Sequence, residues 1–171
     1  VVKADAYGHG IARVARALNG EAEAFAVAAR GDGLRLRAAG HRLLVIPGNH
    51  DIPLYDVFRR FARPLDRYKR YIDNDLCPWF ENDEVAIQGI NTARSLTIKD
   101  GRINHDQMRM LRQRFAAVRS EKTRILVTHH PLFAMPIGKG GELSEAVGQH
   151  DDAVKAVCEA EKPSLVITGK Q

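Results

Sequence analysis

Two short blocks place chemically capable side chains directly behind apolar runs. Gly48-Asn49-His50-Asp51 follows Leu43 to Ile46, and His129-His130-Pro131 follows Ile125 to Val127. An amide oxygen, imidazole nitrogens and a carboxylate are donors for borderline divalent ions such as Mn, Fe or Zn. Glycine before Asn49 lets the backbone turn sharply and leaves room for a ligand. In an open α/β sheet, ligands gather beyond the carboxyl ends of the strands, which puts both blocks on one rim. A third block, Val1-Val2-Lys3-Ala4-Asp5-Ala6-Tyr7-Gly8-His9-Gly10, sets a lysine at the end of an apolar strand. In a low-dielectric setting a lysine loses its proton more readily and can form a Schiff base. A lone His or Lys is ordinarily a packed or solvated residue; the repetition of donors at strand ends is what points to a site.

The elements that must hold these blocks follow from periodicity. Ile11, Val14, Ala15 and Leu18 recur at helical spacing until Asn19-Gly20. Residues 24–28 read as a short strand, Gly31-Asp32-Gly33 as a turn, and 34–39 as a helix ended by Gly40. Leu43 to Ile46 reads as a buried strand. Leu54, Val57, Phe58, Phe61 and Leu65 keep one apolar face, interrupted by Pro64, and the arginines and Lys69 between them read as its solvated side. Residues 85–90 alternate as a strand. Asn104 and Gln107 form a capping box for a helix with Met108, Leu111, Phe115 and Val118 on its inner face. Ile125 to Val127 is another strand, Gly138 to Gly141 a loop, 147–158 a helix, and 164–167 a last strand. Strands alternating with helices predict an α/β protein with a parallel or mixed sheet.

Composition narrows the class. The chain has 171 residues, with 26 Lys and Arg against 21 Asp and Glu and 44% hydrophobic residues, the balance of a globular protein. A net charge of +5 is too diffuse for a dedicated nucleic-acid footprint. No apolar run nears the roughly 18 residues of a membrane span, so neither a membrane nor a nucleic-acid partner is expected. Two cysteines, Cys77 and Cys158, make no disulfide framework and no metal spacing, which suits a reducing, cytoplasmic setting. The chain opens at Val1 on residues that already read as strand, so a preceding segment is expected.

Leu44-Val-Ile-Pro-Gly-Asn-His-Asp51 and Val127-Thr-His-His-Pro131, with Ile52 to Tyr55 and Gly89 to Arg94, resemble the blocks of calcineurin-like metallophosphoesterases. That resemblance covers residues 41–171. It implies a partial sheet of parallel or mixed strands flanked by helices, and hydrolysis of a small phosphomonoester or phosphodiester by a dinuclear-metal hydroxide. It also implies roles: Asn49 and His129 as metal ligands, His50 in contact with the phosphoryl group, and Asp51 orienting His50. His130, Asn91 and Arg94 would line the substrate pocket. The family pattern also needs an upstream Asp-x-His, which is missing here. Gly169-Lys170-Gln171 puts a cation where a ligand His belongs, so impaired turnover is implied.

Residues 1–40 resemble the pyridoxal-phosphate lysine segment of alanine racemases, through the Lys3 block and the stretches Val14 to Leu18, Ala24 to Val27 and Leu34 to Gly40. The implied piece is strand-helix-strand-helix of (β/α)-barrel type. Lys3 would carry the cofactor and Tyr7 would lie near its phosphate. The chain therefore reads as a join near Gly40-His41. Phosphoester hydrolysis is the leading expectation, alanine racemisation the alternative, and a non-catalytic chimera the third.

Overall fold

A computed structural model describes residues 4–22, 25–27, 30–96, 101–132, 136–137, 142–143 and 162–168. Lys3, the loop Gly138 to Gly141, the helix expected over 147–158 and Gly169-Lys170-Gln171 lie outside the described residues. The chain divides into two compact units, Val1–Leu43 and Leu44–Gln171.

The first unit is helical among its described residues. A single turn, α1 (Ala4–Tyr7), carries Asp5, Ala6 and Tyr7 at φ 53, 58 and 54. This left-handed region costs a side-chain-bearing residue about 1–2 kcal/mol. The turn is held from outside: Asp5 Oδ1 accepts the Ile11 amide at 2.9 Å and pairs with Arg35 at 3.0 Å. Helix α2 (Ile11–Ala17) starts after Gly10, and α3 spans Arg30–Ala38. Ala6, Ile11, Ala15 and Leu36 form their core, with Phe25, Val27 and Leu43 packed on it. Two expectations fail here. Residues 25–27 pair with no strand among the described residues, and Phe25 and Val27 contribute side chains to the helical core instead. Gly31-Asp32-Gly33 is not a turn but the first turn of α3, where a carboxylate is favoured by the helix dipole and Asp32 meets Arg35 at 3.6 Å.

The second unit is built on a mixed four-stranded sheet in the order β1-β2-β3-β6, with β1 Trp79–Glu81, β2 Val85–Ile90, β3 Thr123–Thr128 and β6 Leu165–Thr168. Two short strands, β4 (Pro136–Ile137) and β5 (Glu142–Leu143), pair separately. β1 joins antiparallel; β2, β3 and β6 are parallel, with Ile90 level with Thr128 and Thr128 level with Thr168. Five of the six β2 residues are buried, as a central strand requires. The crossover from β2 to β3 contains α6 (His105–Ala117), opened by the expected capping box: Asn104 accepts from the Gln107 amide at 2.8 Å, and Gln107 accepts from the Asn104 amide at 3.0 Å. Met108, Leu111 and Phe115 pack onto Ile90, Ile103, Leu126 and Leu132.

Residues 43–46 are not part of the sheet. Val45 packs against the cluster of Ile52, Leu65, Tyr68 and Ala93, and Ile46 lies so close to Gly89 that an added Cβ there would meet Ile46 at 2.7 Å. Beyond it come α4 (Val57–Ala62), capped by Asp56, and α5 (Asp66–Tyr71), separated near Pro64 as expected. The expected inner face of this stretch is largely outside. Leu65 is buried, but Leu54, Val57, Phe58 and Phe61 are exposed, and the buried residue of α4 is Arg60. Arg60 donates to the carbonyls of Ser95 (2.6 Å) and Pro53 (3.0 Å), which holds a charged residue inward at the expense of the apolar ones. Among the described residues, no helix is long and apolar enough to cross a membrane.

Candidate functional site at the strand ends

Asn49, His50 and Asp51 form a single 3-10 turn behind Gly48. Asp51 Oδ2 accepts the Gly48 amide at 2.8 Å, so the carboxylate expected to orient His50 instead closes this turn. The turn aims the Asn49 amide at the carboxyl end of β3: Asn49 Oδ1 and His129 Nε2 are 3.0 Å apart, across 80 positions of sequence. Any side chain at position 48 would collide with the ring, since an added Cβ would sit 2.8 Å from His129 Cε1. Burial holds the His129 pKa below the ordinary imidazole value; His50 pushes the same way and the Asp51 carboxylate opposes. The shift favours the neutral ring, the form in which histidine ligates a metal. His50 is exposed at the rim.

His130 is wholly buried rather than open to a substrate. Its Nδ1 lies 2.7 Å from Thr92 Oγ1, its backbone oxygen accepts from Thr128 Oγ1 at 2.8 Å, and it meets the His129 ring edge-on at 4.8 Å. Its place is behind His129. Asn91 follows β2 as His129 follows β3, and the matching register of Ile90 and Thr128 brings both to one sheet edge. Asn91 is buried and accepts the Ala93 amide at 2.9 Å. Arg94 donates to the carbonyls of Asn91 and Ala93 and to Gln107 Oε1, and burial lowers its pKa from the usual guanidinium value. Both line a cavity of about 450 Å³ with Ile52, Leu65 and Lys69.

Two roles, one of Gln107 and one of Tyr68, leave no trace in the sequence. Gln107 serves α6 as its cap and also donates to the Asn91 carbonyl at 2.7 Å, so one side chain fixes both a helix start and a strand end. Only the capping half leaves a local signal. Tyr68 is buried with a hydroxyl that has no hydrogen-bond partner among the described residues; burial first, then the charges of Asp51, Asp73 and Asp75, raise its pKa. Nothing in its spacing marks it.

The donor set fits a divalent cation only in part. Asn49 and His129 supply two neutral donors, and among the described residues no group of three His, Cys, Asp or Glu can hold a metal ion. In the first unit Asp32 is taken by Arg35, while Tyr7 is 70% exposed on its left-handed turn.

Comparison with known proteins speaks to the N-terminal part. Residues 1–60 match the family model of the alanine racemase N-terminal domain. The match runs past Gly40, where the sequence reading ended that resemblance. The alanine racemase of Pseudomonas fluorescens is 61% identical over 46 residues, covering 27% of this chain and 13% of that protein. The catabolic alanine racemase of Pseudomonas aeruginosa is 56% identical over 50 residues, covering 28% and 14%. The alanine racemase of Halorhodospira halophila is 44% identical over 66 residues, covering 39% and 18%. The chain thus spans less than a fifth of the length of these relatives.

Proposed function

We propose that the N-terminal part serves alanine racemisation, with Lys3 as the residue that holds pyridoxal phosphate and Tyr7 beside the cofactor phosphate. The single observation that carries this reading is the match of residues 1–60 to the racemase N-terminal domain, supported by 61% identity over 46 residues to a curated alanine racemase. Bound there, the cofactor would supply an electron sink for the substrate carbanion. The chain's own contribution is a lysine amine for attachment and the braced turn Ala4–Tyr7 that follows it. The test is borohydride reduction after incubation with pyridoxal phosphate, followed by peptide mass spectrometry. Selective label on Lys3, and racemisation of alanine lost with that label in Lys3→Ala, are expected. Label spread over many lysines and unchanged in Lys3→Ala would refute the assignment.

A second reading concerns residues 41–171 and is favoured by one observation, the 3.0 Å approach of Asn49 Oδ1 to His129 Nε2 at a parallel strand end. We infer a metal-dependent phosphoester site of calcineurin-like type, in which Asn49 and His129 hold a cation of the Mn, Fe or Zn class and the exposed His50 meets a small phosphoester. Such an ion would supply Lewis-acid polarisation of a phosphoryl oxygen. Two neutral donors balance no charge, so one loosely held ion per chain is expected. Manganese titration by calorimetry should show one weak site that His129→Ala removes, with little turnover of an aryl phosphodiester. Binding untouched by His129→Ala, or no binding at all, would retire the reading. Cys77 is a free thiol, consistent with a cytoplasmic setting for either activity.

A further inference from the structure

Helix α4 is packed the opposite way from an ordinary surface helix. Its buried residue is Arg60, and Val57, Phe58 and Phe61 face solvent, Phe58 at 82% exposure. Leu54 and Tyr55 precede them, Tyr55 at 92% exposure. On its inner side, Arg60 ties α4 to the carbonyls of Ser95 and Pro53. The buried cation thus leaves the apolar side chains of α4 outside. Exposed aromatic and aliphatic side chains grouped within one short segment mark a candidate interaction site.

The surrounding charge says what covers it. Between Leu54 and Ile72 there are six basic residues and two acidic ones, and Arg63, Arg67, Lys69 and Arg70 are exposed. A second copy docking face to face would set these cations against their own images, since a two-fold interface is self-complementary. An anionic lipid surface meets both features at once: its headgroups attract the exposed Arg63, Arg67, Lys69 and Arg70, and its acyl boundary accepts the aromatic residues. We propose that the segment Leu54–Ile72 is a peripheral membrane-binding face selective for anionic bilayers. This departs from the expectation of no membrane partner, which considered only spanning segments; it rests on neither functional reading above.

The test is co-sedimentation of the full chain with phosphatidylcholine vesicles containing roughly 30% phosphatidylserine, against pure phosphatidylcholine vesicles. Partition onto the anionic vesicles should exceed that onto neutral ones by about tenfold or more and fall as salt is raised to about 0.5 M. Phe58→Ser with Phe61→Ser should lower it by about tenfold, and Arg67→Glu with Arg70→Glu should remove the preference for anionic lipid. All four side chains lie outside the core, and circular dichroism checks that each variant keeps the fold. Three results would overturn the proposal: no sedimentation, equal sedimentation with neutral vesicles, or a vesicle-free dimer lost in Phe58→Ser with Phe61→Ser. Binding to an acidic polypeptide in place of vesicles would likewise overturn it and assign the face to a protein partner.

Discussion

Phe115→Ala is expected to destabilise the second unit by about 3–5 kcal/mol, the largest single effect foreseen for this chain. Phe115 has no exposed surface and sits among Ile90, Leu111 and Leu126, with the Trp79 ring tilted against it at 6.1 Å. It joins α6 to three strands, so truncation leaves a void that no one neighbour can fill. Because domains are typically stable by only about 5–15 kcal/mol, such a loss takes a large share of the total. Phe115→Leu, which keeps most of the volume, should cost markedly less, about 1.5 kcal/mol or under. Urea unfolding checks this: the midpoint should fall with the slope unchanged. A loss below about 1 kcal/mol for Phe115→Ala would mean that α6 is not packed as described.

That helix was the most legible element in the sequence, and the reason is local. Asn104 and Gln107 announce its start within one turn, and Met108, Leu111, Phe115 and Val118 repeat at helical spacing and are all buried. Strands β3 and β6 are legible for a similar reason, as short apolar runs, and β2 as an alternating one, although five of its six residues are buried. The run Leu43 to Ile46 carries the same signal yet forms no ladder, because a strand also needs a partner edge and periodicity does not say whether one is free. Asn49 still reaches His129, so the pair meets at the end of β3 although the run before Asn49 is missing from the sheet.

Helix α4 shows a second limit. Its apolar spacing is real, but spacing cannot tell a face covered by core from one left outside, and the buried partners of Arg60 are backbone carbonyls that no residue type reveals. Asn91 and Arg94 were found as candidates, while their link to Gln107, 16 and 13 positions away, emerges only once β2 and α6 are packed. The wholly buried His130 has the opposite history. Adjacent to His129 in sequence, it shares its residue type but not its surroundings, and Thr92 and Gly101 enclose it.

Gly48→Ala should disable the strand-end pair with no change at either donor. The backbone there is extended, at φ −108 and ψ 179, so alanine is conformationally acceptable and any effect is steric. The new methyl would lie 2.8 Å from His129 Cε1 and 2.9 Å from Nδ1, inside contact distance for the whole ring edge. His129 cannot simply retreat, because the buried His130 ring stands edge-on to it at 4.8 Å and is itself pinned by Thr92. Overpacking of this kind costs about 1–3 kcal/mol. Moving the ring also separates Nε2 from Asn49 Oδ1, and disturbing the residues that position a ligand typically lowers metal affinity by about 10–100-fold. Gly31 gives the contrast: nothing lies within 4 Å of an added Cβ, and it sits inside α3, so Gly31→Ala should stabilise by roughly 0.5–1 kcal/mol. Urea unfolding and manganese titration of the two variants together separate a steric effect from a general glycine effect. Gly48→Ala with wild-type stability and wild-type manganese binding would show that Gly48 does not seat the His129 ring, and the site would then have to be built on some other contact than the one between Asn49 and His129.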